Sequence, residues 1–330
     1  MPLVLAPGST RAARLARHAL WTVAGPGSRL EARLARTLHP AKLTRQDRDG
    51  YRQTTATNLI DIEPTNATAP EAGIYLYGGC DVRSMFAIAP LIAPTLRRRV
   101  VIRGVNAVAS SRADVMLQGL TAPTGKAVRE TLERMRFPPT YFRPLIFEPR
   151  LAAAGSSRVA KSVVVLGVGS SAARPAYRHK TEGFVVDPGA RWLRDREKLS
   201  REDLTWFKSN FESVGRLPVD QFVRDFARVV HEVHERTHAE VVVFNTLTVE
   251  PGSRDHNYQL RRSPDGIRRL QFHLALADLA PVAGYHVLDV DDVLKRAGVQ
   301  GQLDFVHFPK ESYGLLAAEG VRLLRELEVL

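Results

Sequence analysis

The sequence predicts an α/β fold: a three-layer, doubly wound sheet of about five parallel strands, with a helical arm at the N-terminus. Short β-branched runs without clear alternation recur along the chain, as expected of strands covered on both faces. Amphipathic helical patterns separate them, which is the rhythm of a parallel sheet. The longest apolar runs fall far short of the roughly 20 residues that span a bilayer.

In chain order, residues 1–53 read as a basic arm. Residues 9–38 hold two helical patterns, split by Gly25-Pro26-Gly27, with Leu15, Ala19 and Leu20 on one face and Leu30, Leu34 and Leu38 on another. Residues 54–72, rich in Thr, Asn, Pro and Ala, read as a linker or surface strand, and residues 73–330 as the α/β domain. Its first strand is Ile74–Tyr77, followed by a helix over Arg83–Leu96. Arg99–Arg103, Ser162–Leu166, Glu240–Phe244 and His286–Val290 are the second to fifth strands. Helical patterns cover Val219–Arg236, Ile267–Leu279 and Tyr313–Leu327. Residues 105–160 and 172–215 are too long for simple crossovers and are expected to carry extra helices and loops over the site.

The chain has 330 residues, a formal net charge of +12 and one cysteine. Residues 1–52 hold ten Lys or Arg against three Asp or Glu, so more than half of the excess sits in the arm. That distribution disfavours a nucleic-acid enzyme with a basic cleft and fits an arm that meets an acidic protein or an anionic membrane surface. An Arg- and Ala-rich, acid-poor arm also has the composition of a transit peptide, and a solvated arm packed on the body fits as well. One cysteine and an opening without a basic start point to a reducing cytoplasm.

The stretch with most chemistry is Gly73–Phe86. An apolar strand ends in Gly78-Gly79, then Cys80 and Asp81, then a helical pattern with Met85, Phe86 and Ile88 on one side. A strand–turn–helix of this kind exposes one side chain at the carboxyl edge of a sheet, beside backbone N–H groups and a helix N-terminus. A thiol there has a lowered pKa and is nucleophilic. The alternative is a small buried cysteine at a strand end. Near the C-terminus, Asp304 precedes His307 by three residues, just before the last helical pattern. That spacing lets a carboxylate fix an imidazole's tautomer and leave its other nitrogen free as a base.

This order of elements resembles the SGNH/GDSL hydrolase superfamily, with Gly78-Gly79-Cys80 in the place of its Gly-Asp-Ser type block and Asp304-Phe305-Val306-His307 in the place of its Asp-x-x-His block. The block around Cys80 is also similar to a bacterial branch that reads Gly-Ser-Cys-Val-Ser-Arg-Asp. The resemblance covers roughly residues 73–330 and implies a sheet order 2-1-3-4-5 and a Cys80–His307–Asp304 triad. It implies an acyl-processing enzyme, an ester or thioester hydrolase or an acyltransferase, acting without a cofactor or metal on a small-molecule or carrier-bound acyl group. Arg103-Gly104-Val105-Asn106 could correspond to the family's oxyanion-glycine block. Where the family has Gly-x-Asn-Asp after the third strand, this chain has Gly167-Val168-Gly169-Ser170. The oxyanion asparagine is therefore missing or replaced by Asn106 or Asn245. The candidate oxyanion and substrate-binding set is Gly79, Asp81, Gly104, Asn106, Gly169 and Asn245, and Ser84 is a reserve nucleophile. The departures leave open a catalytically inactive sugar- or acyl-binding protein.

Rival signals are weaker. Gly167-x-Gly169-x-x-Ala172 after a strand, with Asp187 beyond, imitates a dinucleotide fingerprint, but the following run lacks an apolar helix face. His231, His234 and His238 lie on one helical pattern without the i, i+4 metal-binding pair, so a solvated face is expected. Asp289, Asp291 and Asp292 after the fifth strand are expected to cap a helix.

Overall fold

The computed structural model describes residues 44–48, 51–56, 59–65, 72–96, 100–104, 112–121, 123–137, 141–142, 161–188, 193, 199–245, 248, 263–297, 308 and 310–330. The helical patterns at 9–38 lie outside them. Five strands pair in parallel: β4 (Ala72–Tyr77), β5 (Val100–Gly104), β6 (Lys161–Gly167), β10 (Glu240–Phe244) and β11 (His286–Leu288). Their spatial order is β5-β4-β6-β10-β11. In core-strand numbering this is 2-1-3-4-5, the order that the SGNH/GDSL resemblance implies.

Alternation along each strand divides the core into two layers. Ile74, Leu76, Val163, Val165, Val242 and Phe244 face one side. There they meet α1 (Cys80–Ile92), through Val82, Met85, Phe86 and Ala89, and α9 (Lys310–Glu326), through Leu316, Ala317, Val321 and Leu324. Val164, Leu166, Val241 and Val243 face the other side. There α6 (Val219–Thr237) presents Phe222, Phe226, Val229, Val230 and Val233, a helical spacing, and α7 (Ser263–Ala283) presents Phe272, Leu276 and Leu279. Burying one such side chain stabilises by roughly 1.5–3 kcal/mol, so these two layers dominate the fold.

α1 and α9 run in the same direction. α1 starts at the carboxyl end of β4. Just past the end of α9, Glu328 Oε2 lies 2.6 Å from Nζ of Lys161, the first residue of β6. Both helices therefore begin at the carboxyl edge of the sheet.

Two parts depart from the sequence reading. Residues 44–64, read as the end of an arm and a linker or surface strand, form three antiparallel strands: β1 (Thr44–Arg48), β2 (Tyr51–Ala56) and β3 (Leu59–Pro64). β3 pairs antiparallel with β5, so the sheet has eight strands among the described residues. Tyr51 and Ile62 of this extension are buried in the core layer that contains α1.

The second departure is a cap built on a three-stranded antiparallel sheet, β7 (Pro175–His179), β8 (Val185–Val186) and β9 (Phe211–Arg216), in the order β8-β7-β9. Around it stand α2 (Ala113–Thr121), α3 (Lys126–Arg134) and α5 (Arg201–Asn210), the last capped by Ser200, whose Oγ accepts from Asp203 N at 3.0 Å. The cap has its own core, mainly aromatic: Phe137, Tyr141, Phe142, Phe184, Phe207 and Phe211.

Polar bonds tie the cap to the body. Arg112 is 1% exposed. Its guanidinium meets Asp114 twice, at 2.9 and 2.7 Å, and donates to the carbonyls of Arg174, at 2.6 Å, and Gly215, at 3.1 Å. Arg268 donates to the carbonyls of Ala172 and Leu217. Gln118 acts as an extra strand residue, exchanging both bonds with the backbone of Val185.

His179 is buried in the cap between Phe184 and Phe211, with ring centroids 4.9 Å away in each case. Its Nδ1 accepts from Glu182 N at 3.2 Å, and the Thr181 hydroxyl is equally close. Burial lowers its pKa, against the opposing pull of the Glu182 and Glu130 carboxylates. Protonation would turn an N–H toward the Glu182 N–H. A histidine with a lowered folded pKa contributes full stability above its unfolded value, about 6.5, and loses it as pH falls toward the folded value. Thermal melts of wild type should therefore fall between pH 7 and 5 by more than those of His179→Gln. Parallel curves would show that His179 is not the sensitive group.

Candidate active site

A 2-1-3-4-5 sheet has its topological switch between its first and third strands, here β4 and β6, and ligands bind at their carboxyl ends. β4 delivers Tyr77, Gly78, Gly79 and Cys80 to that edge. Gly79 is the helix N-cap, in extended conformation, and α1 begins at Cys80, three residues before the start predicted from sequence. For Cys80 the described atoms are those of the backbone. Ser84, the reserve nucleophile, lies one turn further along α1 and is half-buried.

Across the switch, Gly78 and Gly167 pack backbone to backbone. A Cβ on Gly78 would stand 2.9 Å from Val82 Cγ2 and 3.1 Å from both N and Cα of Gly167. A Cβ on Gly167 would stand 3.1 Å from Gly78 Cα and 3.6 Å from Gly79 N. The exits of the two strands thus touch where neither has room for a side chain. Gly78→Ala should therefore destabilise by about 1–3 kcal/mol, the usual cost of overpacking, read as a lower urea midpoint at constant slope. A change under about 0.5 kcal/mol would mean that the contact is loose.

The other predicted positions divide. Gly104 closes β5 and pairs with Leu76, on the strand beside β4. Gly169 opens α4 (Gly169–Ala173) on the exit of β6. Asp81 lies in the first turn of α1, but its Oδ1 accepts the N–H of Val82 at 3.0 Å and folds back over Gly79, where a Cβ would overlap it. A carboxylate held as an acceptor repels an oxyanion, so the Asp81 side chain does not suit the predicted role.

Asn245 is also committed elsewhere. Its Nδ2 donates to Asp289 Oδ1 at 3.0 Å and lies 3.3 Å from His273 Nδ1, and its Oδ1 accepts from Val290 N at 2.8 Å. The amide ties β10 to the start of α8 (Val290–Ala297), with one N–H given to Asp289 and the other facing the His273 ring. Asp289 Oδ1 also takes the N–H groups of Asp291 and Asp292, both at 3.1 Å, which is the capping role expected from sequence. Asp291 holds Thr248 and Lys295.

Asn106, Asp304 and His307 lie outside the described residues. The frame that follows 304–307 is described. Phe308 is buried in the layer that contains α1, 5.5 Å from the Tyr313 ring, and α9 begins at Lys310.

The rival signals resolve into structural roles. From Gly169 the chain makes five helical residues and then strand β7, so no long helix receives a pyrophosphate. Asp187 is wholly buried, and its N–H donates to the Tyr141 hydroxyl at 2.6 Å. On α6, His231 is exposed, His234 Nε2 lies 3.1 Å from Gly284 O, and His238 is the left-handed C-cap. No group of three His, Cys, Asp or Glu among the described residues is arranged to hold a metal. No described helix is long and apolar enough to cross a membrane.

A polar group that sequence reasoning did not assemble joins Tyr141, Asp187 and Arg174 and acts electrostatically with Tyr77, the last residue of β4. Burial pushes the Tyr77 phenol up to about 12. The Tyr141 phenol is raised well above its usual range, first by burial, then by the Asp187 charge and by Tyr77, while Arg174 lowers it. Asp187 Oδ2 lies 3.6 Å from Arg174 Nη1. These residues come from three separate segments, so no local pattern joins them.

No protein-family model and no curated protein matches the chain. Solved structures do. A member of the lipolytic G-D-S-L family from Veillonella parvula is similar over 77% of this chain and 98% of its own, at 9% identity and a TM-score of 0.39. The lipase/acylhydrolase from Enterococcus faecalis is similar over 77% and 96%, at 14% identity and a TM-score of 0.38. An acetyl xylan esterase from Geobacillus stearothermophilus is similar over 77% and 94%, at 12% identity and a TM-score of 0.36.

Proposed function

We propose that this chain is an acyl-processing enzyme that cleaves or transfers ester- or thioester-bound acyl groups through Cys80. The observation that carries the reading is the Gly78–Cys80 turn. It stands at the switch point of the sheet, at the head of α1, against the exit of the third core strand. The sheet order and the two end blocks agree with the SGNH/GDSL resemblance, an analogy of fold that leaves the chemistry to the site.

In the proposed reaction His307 takes the thiol proton and the Cys80 sulfur attacks the acyl carbonyl carbon. Asp304 orients His307. The carbonyl oxygen becomes an oxyanion facing the backbone N–H groups of Cys80 and Gly104. As the carbonyl re-forms, the bond to the leaving group breaks, and that group departs with the proton from His307. Water then releases the acid, or an amine or alcohol takes the acyl group from the thioester. What supports His307 as the base is the frame around it: α9 starts at the same edge and on the same face as α1. The test is a screen of acyl esters and thioesters with wild type beside Cys80→Ala. Turnover lost in the variant supports the reading; turnover that survives removes this nucleophile. Wild type that turns over nothing but binds an acyl or sugar ligand would favour the inactive binding protein.

A further inference from the structure

We propose that a second copy of this chain covers the outward side of α7, the two helices forming an antiparallel pair. On its inward side α7 packs Phe272, Leu276 and Leu279 into the core. On its outward side Ile267, Leu270 and Leu274 are exposed, Leu274 to 52%. Ala277 and Pro281, also exposed, continue the line. The five positions step by three, four, three and four residues, the a/d spacing of a coiled-coil seam. They run over about 21 Å of helix. A helix that is apolar on both sides is one that is covered on both. α6 packs on the same face of the sheet and gives the contrast. Its outward side carries the ion pairs Arg224–Asp220, at 2.9 Å, and Arg236–Glu232, at 2.8 Å.

Charge and side-chain size both point to a second copy. The two arginines of α7 are turned away from the seam: Arg268 donates to the carbonyls of Ala172 and Leu217, and Arg269 is 4% exposed. Among the described side chains of α7, the charge left on the outward side is Asp278. A basic partner, the Arg-rich residues 9–38 included, would bring many cations to one carboxylate. An acidic partner would meet no cation there. Two parallel copies would set Asp278 against itself, and would set the large residues of the seam's first half against each other. In an antiparallel pair Leu274 meets Ala277 of the second copy and Leu270 meets Pro281, so each large side chain faces a small one. Gln271 then lies beside Asp278 of the second copy and can donate its amide N–H to the carboxylate. Such a contact is isologous and closes on two chains. A seam of this length buries less than about 1,200 Å² in total, the range of weak complexes. The pairing is independent of the chemistry at Cys80.

Sedimentation velocity on the full chain tests this. The protein should be monomeric at about 1 µM and largely dimeric at about 300 µM. Leu274→Glu should raise the dissociation constant at least about tenfold, because it drives a carboxylate into the seam, and should melt with wild type at 1 µM, because Leu274 is exposed. Ala277→Glu serves if that variant does not fold. Arg224→Glu, on the outward side of α6, should leave association unchanged. Leu274→Cys and Ala277→Cys proteins, each made on Cys80→Ala so that no other thiol is present, should on mixing and mild oxidation form the mixed disulfide in excess of either homodimer. A wild type that stays monomeric at 300 µM, or a dimer that both glutamate variants leave intact, would overturn the pairing. Homodimers of the Leu274→Cys protein ahead of the mixed disulfide would overturn the antiparallel register. Capture of residues 1–43 of the same chain by a benzophenone placed on Leu274→Cys would give the face to the arm, and would overturn the second copy.

Discussion

His307→Ala is expected to lower kcat/KM by about 10³-fold or more on whichever ester the wild type turns over best, as removal of a general base from a nucleophile–His pair does. The nucleophile would remain, but its proton would have no acceptor in the attack and the leaving group no donor in the collapse. Two further readings separate this from damage to the fold. Added imidazole should restore part of the rate, and the acid limb of the kcat/KM profile should disappear. A variant within about tenfold of wild type would exclude His307, and with it the role given to Asp304.

Arg112→Met is expected to be the most damaging single change to stability, at about 3–5 kcal/mol, the usual result of removing one partner of a buried ion pair. Methionine replaces the apolar stem but leaves Asp114 uncompensated, together with the carbonyls of Arg174 and Gly215. The companion Arg112→Met/Asp114→Leu should recover part of the loss, because the stranded carboxylate is gone. Melting of both against wild type measures this. If the single variant melts with wild type, the guanidinium is not what holds the cap.

The central sheet was legible because its strands are buried on both faces. Val163–Leu166 and Glu240–Phe244 can be little else, and Phe222, Phe226, Val229, Val230 and Val233 mark one helix face. The order of the strands came from the resemblance and not from any local pattern. The outlying strands were not legible. Thr44–Arg48, at the edge of the sheet, and Tyr51–Ala56, beside it, are largely polar and give no strand pattern. Pro175–His179, the central cap strand, and Phe211–Arg216 are short and mixed in polarity, and the two lie far apart in the chain. At the site, the two glycines and the thiol were readable from the strand–turn–helix pattern. The true occupations of Asn245 and Asp187 were not. One is set by Asp289 and Val290 and the other by Tyr141 and Arg174, and no spacing along the sequence announces such contacts.

The cap's separate aromatic core has a consequence for how the chain breathes. A unit with its own core, joined to its neighbour through guanidinium–carbonyl bonds and the apolar face of α2, can open without melting that neighbour. Those bonds depend on direction, so they fail together once the angle between the parts changes. Amide hydrogens in β7 and β9 should then exchange as one group, at a lower free energy than those in β6 and β10. Solvent would then reach the faces between the two parts at the frequency of that partial opening, well above the frequency of global unfolding.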